Sequence, residues 1–104
     1  MIVYEIYRNR YKELFITAQS NGVPYQAAEG EKVNFIISDA SGTAVLTKEL
    51  TAADYDETLK NYKLSLSSAD TDIPEGRYYF ECFFWDADEE KHQLSSGRIV
   101  VKRW

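Results

Sequence analysis

The residues able to do chemistry are few, and most crowd into one stretch. His92 is the only histidine, Cys82 the only cysteine, and Asp86, Asp88, Glu89 and Glu90 form an acidic run between them. Nucleophilic catalysis needs a nucleophile with a base in reach. The chain has no Gly-x-Ser-x-Gly elbow, and His92, beside the acidic run, reads as a surface residue. Cys82 has no basic neighbour to lower its thiol pKa, so it reads as a small buried hydrophobe rather than a thiolate. Alternating carboxylates can surround calcium, but that loop needs a Gly at its sixth position and a Glu at its twelfth. Counted from Asp86, those positions hold Lys91 and Gly97, and the run reads as a solvated turn. No Cys/His spacing suits zinc, and no Gly-rich loop would cradle phosphate. Nothing singles out a carboxylate pair for glycoside hydrolysis. No catalytic, cofactor-binding or metal-binding residue is assigned; the expectation is a protein that is not an enzyme and needs no cofactor.

The positive signal is aromatic. Pro74 presets a turn, Gly76 releases the chain from it, and an alternating strand follows. Tyr78, Phe80, Cys82 and Phe84 point one way, whereas Tyr79, Glu81, Phe83 and Trp85 point the other. A sheet needs one buried face, and its other face normally turns polar. Tyr79, Phe83 and Trp85 break that rule, with only Glu81 between them. Either loops and neighbouring side chains cover this face, or it is an interaction surface. On the second reading a protein partner, a second copy included, is favoured over a sugar.

The elements that must position this strand are all short strands. Ile2 to Tyr7 reads as the first and Lys12 to Ala18 as the second, with Arg8-Asn9-Arg10 breaking between them as a plausible hinge. Gln19 to Gly30 is a loop, since Ser20-Asn21-Gly22 is turn chemistry and Pro24 stops a central ladder. Glu31 to Ser38 and Thr43 to Leu50 form a hairpin around Asp39-Ala40-Ser41-Gly42. Thr51 to Lys60 reads equally as a short helix started by Thr51 and Asp54 or as a loop. Tyr62, Leu64 and Leu66 mark the fifth strand, and Ser67 to Asp72 a single helical turn. The aromatic strand and a last strand, His92 to Arg103, complete seven. A Tyr two residues after the turn glycine fits a tyrosine corner. The expectation is one all-β domain over residues 1–104, a seven-stranded antiparallel immunoglobulin-like β-sandwich. Its expected core is Leu14, Ile16, Val33, Phe35, Ile37, Leu64, Leu66, Ile73, Tyr78, Phe80, Cys82, Ile99 and Val101.

Bulk properties agree with this. Aromatics make up 14% of 104 residues, which favours strands. A net charge of −5 with scattered Lys and Arg argues against a nucleic-acid surface. A single cysteine excludes an intrachain disulfide and suits a reducing compartment. The opening Met1-Ile2-Val3-Tyr4-Glu5 has no basic or long apolar segment, so no signal peptide is expected. No apolar run approaches the ~20 residues of a membrane helix. A soluble protein made in the cytoplasm is expected.

A resemblance joins these features. The pattern Leu64-x-Leu66, Ile73-Pro74-x-Gly76-x-Tyr78-x-Phe80, Trp85-Asp86-Ala87-Asp88 and Leu94-x-x-Gly97-x-Ile99-x-Val101 resembles the immunoglobulin-like domain of bacteriophage and prophage tail and baseplate proteins. It is similar to the N-terminal domain of the upper baseplate protein family over roughly Glu13 to Lys102. The third strand and its Asp39-Ala40-Ser41-Gly42 turn resemble that family too. The acidic turn departs from it, with Glu89 or Glu90 where the family tends to have Gly. The resemblance implies a non-catalytic virion structural or assembly protein, held by contacts with itself or other virion proteins. It implies no enzymatic residue. The alternative is a carbohydrate-binding or adhesion module that stacks sugars on Tyr79, Phe83 and Trp85.

Overall fold

A computed structural model describes residues 2–103. The strands are β1 (Ile2–Tyr7), β2 (Lys12–Ile16), β3 (Gln19–Ser20), β4 (Val23–Pro24), β5 (Val33–Ser38), β6 (Ala44–Leu50), β7 (Tyr55–Asp56), β8 (Asn61–Leu66), β9 (Gly76–Trp85) and β10 (Lys91–Lys102). They form a five-stranded sheet in the order β1-β10-β9-β5-β6, a three-stranded sheet β2-β8-β7, and the small β3-β4 hairpin. The chain is all-β with several sheets, an arrangement compatible with a sandwich.

The alternating residues of both larger sheets meet in one apolar cluster. Leu14, Ile16, Tyr62, Leu64 and Leu66 enter from one sheet, and Val33, Phe35, Ile37, Tyr78, Phe80, Cys82, Ile99 and Val101 from the other. Period-two burial of this kind follows from the pleat. Ile6, Leu50 and Leu94 are buried there as well, beyond the expected core. Ile73, expected in the core, is only half-buried and packs on its margin.

The pairing differs from the expected all-antiparallel arrangement at one place. β1 runs parallel to β10, with Tyr4 beside Ile99 and Ile6 beside Val101. This register sends Ile6 into the core and leaves Val3 exposed. The gap between the two sheets beside β1 is bridged by Tyr4, whose hydroxyl donates to the Phe15 carbonyl at 2.8 Å.

Short connections follow their local chemistry. Asn21 and Gly22 both have positive φ, the geometry of a two-residue hairpin turn, and close β3 onto β4. Ala52–Asp54 is a single 3-10 turn whose Asp54 carboxylate accepts the Thr51 amide at 2.8 Å. The Ser67 amide donates to the Asp70 carboxylate, and the Ser67 hydroxyl accepts the Asp70 amide, which caps the helical turn before Pro74 at both ends of the pair. Tyr78 donates its hydroxyl to the Pro74 carbonyl at 2.6 Å, the expected corner bond across the turn.

Candidate interaction surface

β9 is the middle strand of the five, flanked by β10 and β5, so its outer face is the centre of the sheet's outer face. Tyr79 pairs with Arg98 on β10 and Ser38 on β5; Glu81 pairs with Ser96 and Ile36; Phe83 pairs with Gln93 and Asn34. Trp85 stands opposite Lys91. Each of these neighbours therefore shares the outer face with its partner.

The three aromatic residues proposed from the alternation are not equivalent. Tyr79 is 51% exposed and Trp85 57%, but Phe83 is only 5% exposed. At Phe83 the face is covered within the domain, the first of its two readings, while Tyr79 and Trp85 stay open. Its cover is Lys91, whose ammonium lies 4.4 Å from the ring centroid and continues to Glu81 at 2.6 Å. Gln93 donates to the other oxygen of Glu81 at 2.8 Å, and Trp85 meets Phe83 edge-on at 5.8 Å. A long basic side chain lies along apolar surface while its head reaches a carboxylate, which is how Lys hides an aromatic ring. The aromatic stripe is consequently split in two. Tyr79 carries the Arg98 guanidinium 6.0 Å above its ring. Trp85 stands at the other end of β9.

Beside Trp85 a groove of about 630 Å³ is lined by Glu31, Lys32, Asn34, Glu49, Phe84, Asp86 and the backbone at Gly30 and Ala87. Its carboxylates are held by their own chain. Glu31 accepts the Ala28 amide at 2.6 Å and the Tyr25 hydroxyl at 3.2 Å. Asp86 accepts the Asp88 and Glu90 amides at 2.8 and 2.9 Å, and His92 Nε2 lies 2.6 Å from its other oxygen. The His92 hydrogen bond, followed by the backbone amides, holds the Asp86 carboxyl below its ordinary range. Glu49 faces Lys32 at 3.4 Å. Below this rim, Phe84 is stacked between Tyr25 and His92, at 4.5 and 4.8 Å between centroids. The inward half of the alternation thus ends at Phe84, which props the acidic turn instead of entering the core.

The other reactive side chains are placed as follows. Cys82 is fully buried, and burial pushes its thiol up to about 12. His92 is on the surface in its pair with Asp86, with no nucleophile among its hydrogen-bond or ring contacts. Among the described residues no three His, Cys, Asp or Glu side chains are grouped to hold a metal ion. No helix among them is long and apolar enough to cross a membrane. Sequence reasoning found the aromatic stripe but missed the groove. Its lining comes from three separated segments, and only the β5-β9 and β5-β6 registers bring them together.

No protein-family model, no curated protein and no solved structure matches the chain.

Proposed function

We propose that the chain is an immunoglobulin-like β-sandwich serving as a non-catalytic structural or assembly protein of a phage or prophage virion, of tail or baseplate type. It works through protein–protein contacts, with itself or with other virion proteins. The observation that carries the contact reading is the pair of half-exposed aromatics, Tyr79 and Trp85, on the outer face of one central strand. Six steps of extended chain separate them, about 20 Å at ~3.3 Å per residue. That spacing suits a protein footprint, which spreads over ~800 Å² per partner, better than a single sugar ring. The burial of Phe83 removes the middle of a continuous stacking platform and so weighs against the carbohydrate alternative.

The immunoglobulin-like part of the reading is supported by strand order. β10-β9-β5-β6 facing β2-β8-β7 is the order G-F-C-C′ against B-E-D of variable-type sandwiches. The Tyr78–Pro74 bond stands where such sandwiches carry their tyrosine corner. The virion role rests on the sequence resemblance.

Light scattering over a concentration series tests self-assembly. A dimer or larger ring that Trp85→Lys dissolves supports the reading. An assembly unchanged by that substitution removes Trp85 from the interface. A monomer at every concentration leaves only foreign partners, and a pull-down with tail and baseplate proteins that retains none of them would sink the proposal.

A further inference from the structure

We propose that the groove beside Trp85 is a docking site for a cationic side chain, the Lys or Arg of a basic segment on a protein partner. This rests on the protein-contact reading above and names the partner's chemistry.

The argument is charge complementarity around an exposed ring. The indole of Trp85 is the strongest of the aromatic faces for a cation, and more than half of its surface is free. Three carboxylates, Glu31, Glu49 and Asp86, line the same groove against one ammonium, Lys32, which faces Glu49. Two of the three are fixed in advance. Glu31 is tied to Ala28 and Tyr25, and Asp86 to Asp88, Glu90 and His92. Carboxylates already oriented lose little side-chain freedom when a partner arrives, which favours binding. Asn34 adds a side-chain amide to the lining. A guanidinium laid over the indole would place its donors toward these oxygens, the planar arrangement that Arg makes best. An anionic or purely apolar partner would meet three like charges or leave them desolvated.

Calorimetric titration of the whole chain with a hexa-arginine peptide at low salt tests this. Saturable binding is expected, weakened about tenfold by Trp85→Ala, the fold-change of losing ~1.4 kcal/mol of ring–cation attraction. Glu49→Gln, which leaves the ring in place, is expected to weaken it several-fold. Glu13→Gln removes an equal charge from the other sheet and is expected to leave it unchanged. Equal loss in Glu13→Gln and Glu49→Gln would reduce the effect to net charge and overturn the proposal. Absence of binding would overturn it as well, as would saturation by maltohexaose in place of the peptide. Self-assembly read by light scattering is a separate observable, so a failed titration leaves the protein-contact reading standing.

Discussion

Thr71 and Arg10 exchange two hydrogen bonds through a single hydroxyl. The Thr71 Oγ1 donates to the Arg10 carbonyl at 2.8 Å and accepts the Arg10 amide at 2.9 Å. The Thr71 carbonyl also takes the Asn9 amide, and Arg8 pairs with Asp72 at 3.1 Å. The crossing from β1 to β2 is therefore fastened to the helical turn before Pro74. Asn9, with φ of 60°, makes the reversal at the crossing. A segment that reads as a hinge is pinned at three successive residues.

Thr71 is 0% exposed, so its hydroxyl has no water to replace these bonds. Thr71→Val keeps the shape and removes both bonds, taking the hydroxyl donor from the Arg10 carbonyl while the Arg10 amide keeps the Tyr7 carbonyl at 3.2 Å. A loss of about 1–3 kcal/mol is expected from the two lost hydrogen bonds, while Thr71→Ser should retain most of the stability. Urea unfolding measures both. Amide exchange should speed up first at Asn9 and Arg10, the crossing that the clasp fastens. Equal stability of the Val variant and the wild type would show the clasp to be idle.

Gly97 is required by a close approach rather than by backbone conformation. A Cβ there would run into the Ile2 carbonyl of β1 and lie 2.7 Å from the Phe80 ring. Backbone on one side and a packed ring on the other leave nothing free to move. Gly97→Ala should cost about 1–3 kcal/mol by overpacking, read as a lower urea midpoint. Ser96→Ala, one residue away on the outer face, serves as the control and should change little.

These cases mark what was legible in the chain. Val33, Phe35 and Ile37, and Tyr78, Phe80 and Cys82, declare their burial by alternation, which is local. The corner from Tyr78 to Pro74 spans four residues and is local too. The parallel pairing of β1 with β10 joins the two ends of the chain, and no pattern within either strand encodes its direction. Thr71 looked like a turn residue and Ile73 like a core residue, yet the fully buried side chain of the two is the polar one. Its burial depends on Arg10 arriving from far along the chain. The cover over Phe83 was equally hidden, since it depends on the path of one flexible lysine.

That lysine controls the apparent size of the aromatic surface. Lys91→Ala should uncover Phe83 between Tyr79 and Trp85 and join the two exposed rings into one stripe. Stronger self-association at equal concentration is the expected result, together with brighter binding of a hydrophobic dye. Glu81→Gln should act in the same direction but more weakly, because it releases the Lys91 head without removing the stem. Unchanged dye binding in Lys91→Ala would mean that other side chains cover the ring.

Acid should weaken the fold through aspartate-held turns, those of Asp39 and Asp86 among them. The Ser41 hydroxyl, followed by backbone amides, holds the Asp39 carboxyl below its ordinary value of 3.8, as His92 does for Asp86. With folded values below the unfolded one, the unfolded chain binds protons first. The contribution of these turns is complete above about pH 4 and is lost as pH falls through the depressed folded values. Urea midpoints taken from pH 6 downward should fall below pH 4. Asp86→Asn and Asp39→Asn should each start lower and lose less on acidification. A variant with the full acid loss would clear that aspartate of the effect.

Alkali tests the opposite sign at Cys82. Burial pushes its thiol from the ordinary 9.0 up to about 12, so the folded chain keeps a proton that the unfolded chain gives up. Its stabilising contribution is complete below pH 9 and disappears as pH rises toward 12. Cys82→Ala should therefore lose less stability than the wild type between those values. Tyr25, also raised to about 12, leaves a residual slope in the variant above its ordinary 10.0. The same burial sets the reactivity of the thiol, since the thiolate is the nucleophile. Iodoacetamide at pH 8 should leave native Cys82 unmodified and alkylate it fully in urea. Rapid alkylation of the folded chain would place the sulfur at the surface and remove both the alkaline argument and the reading of Cys82 as a core residue.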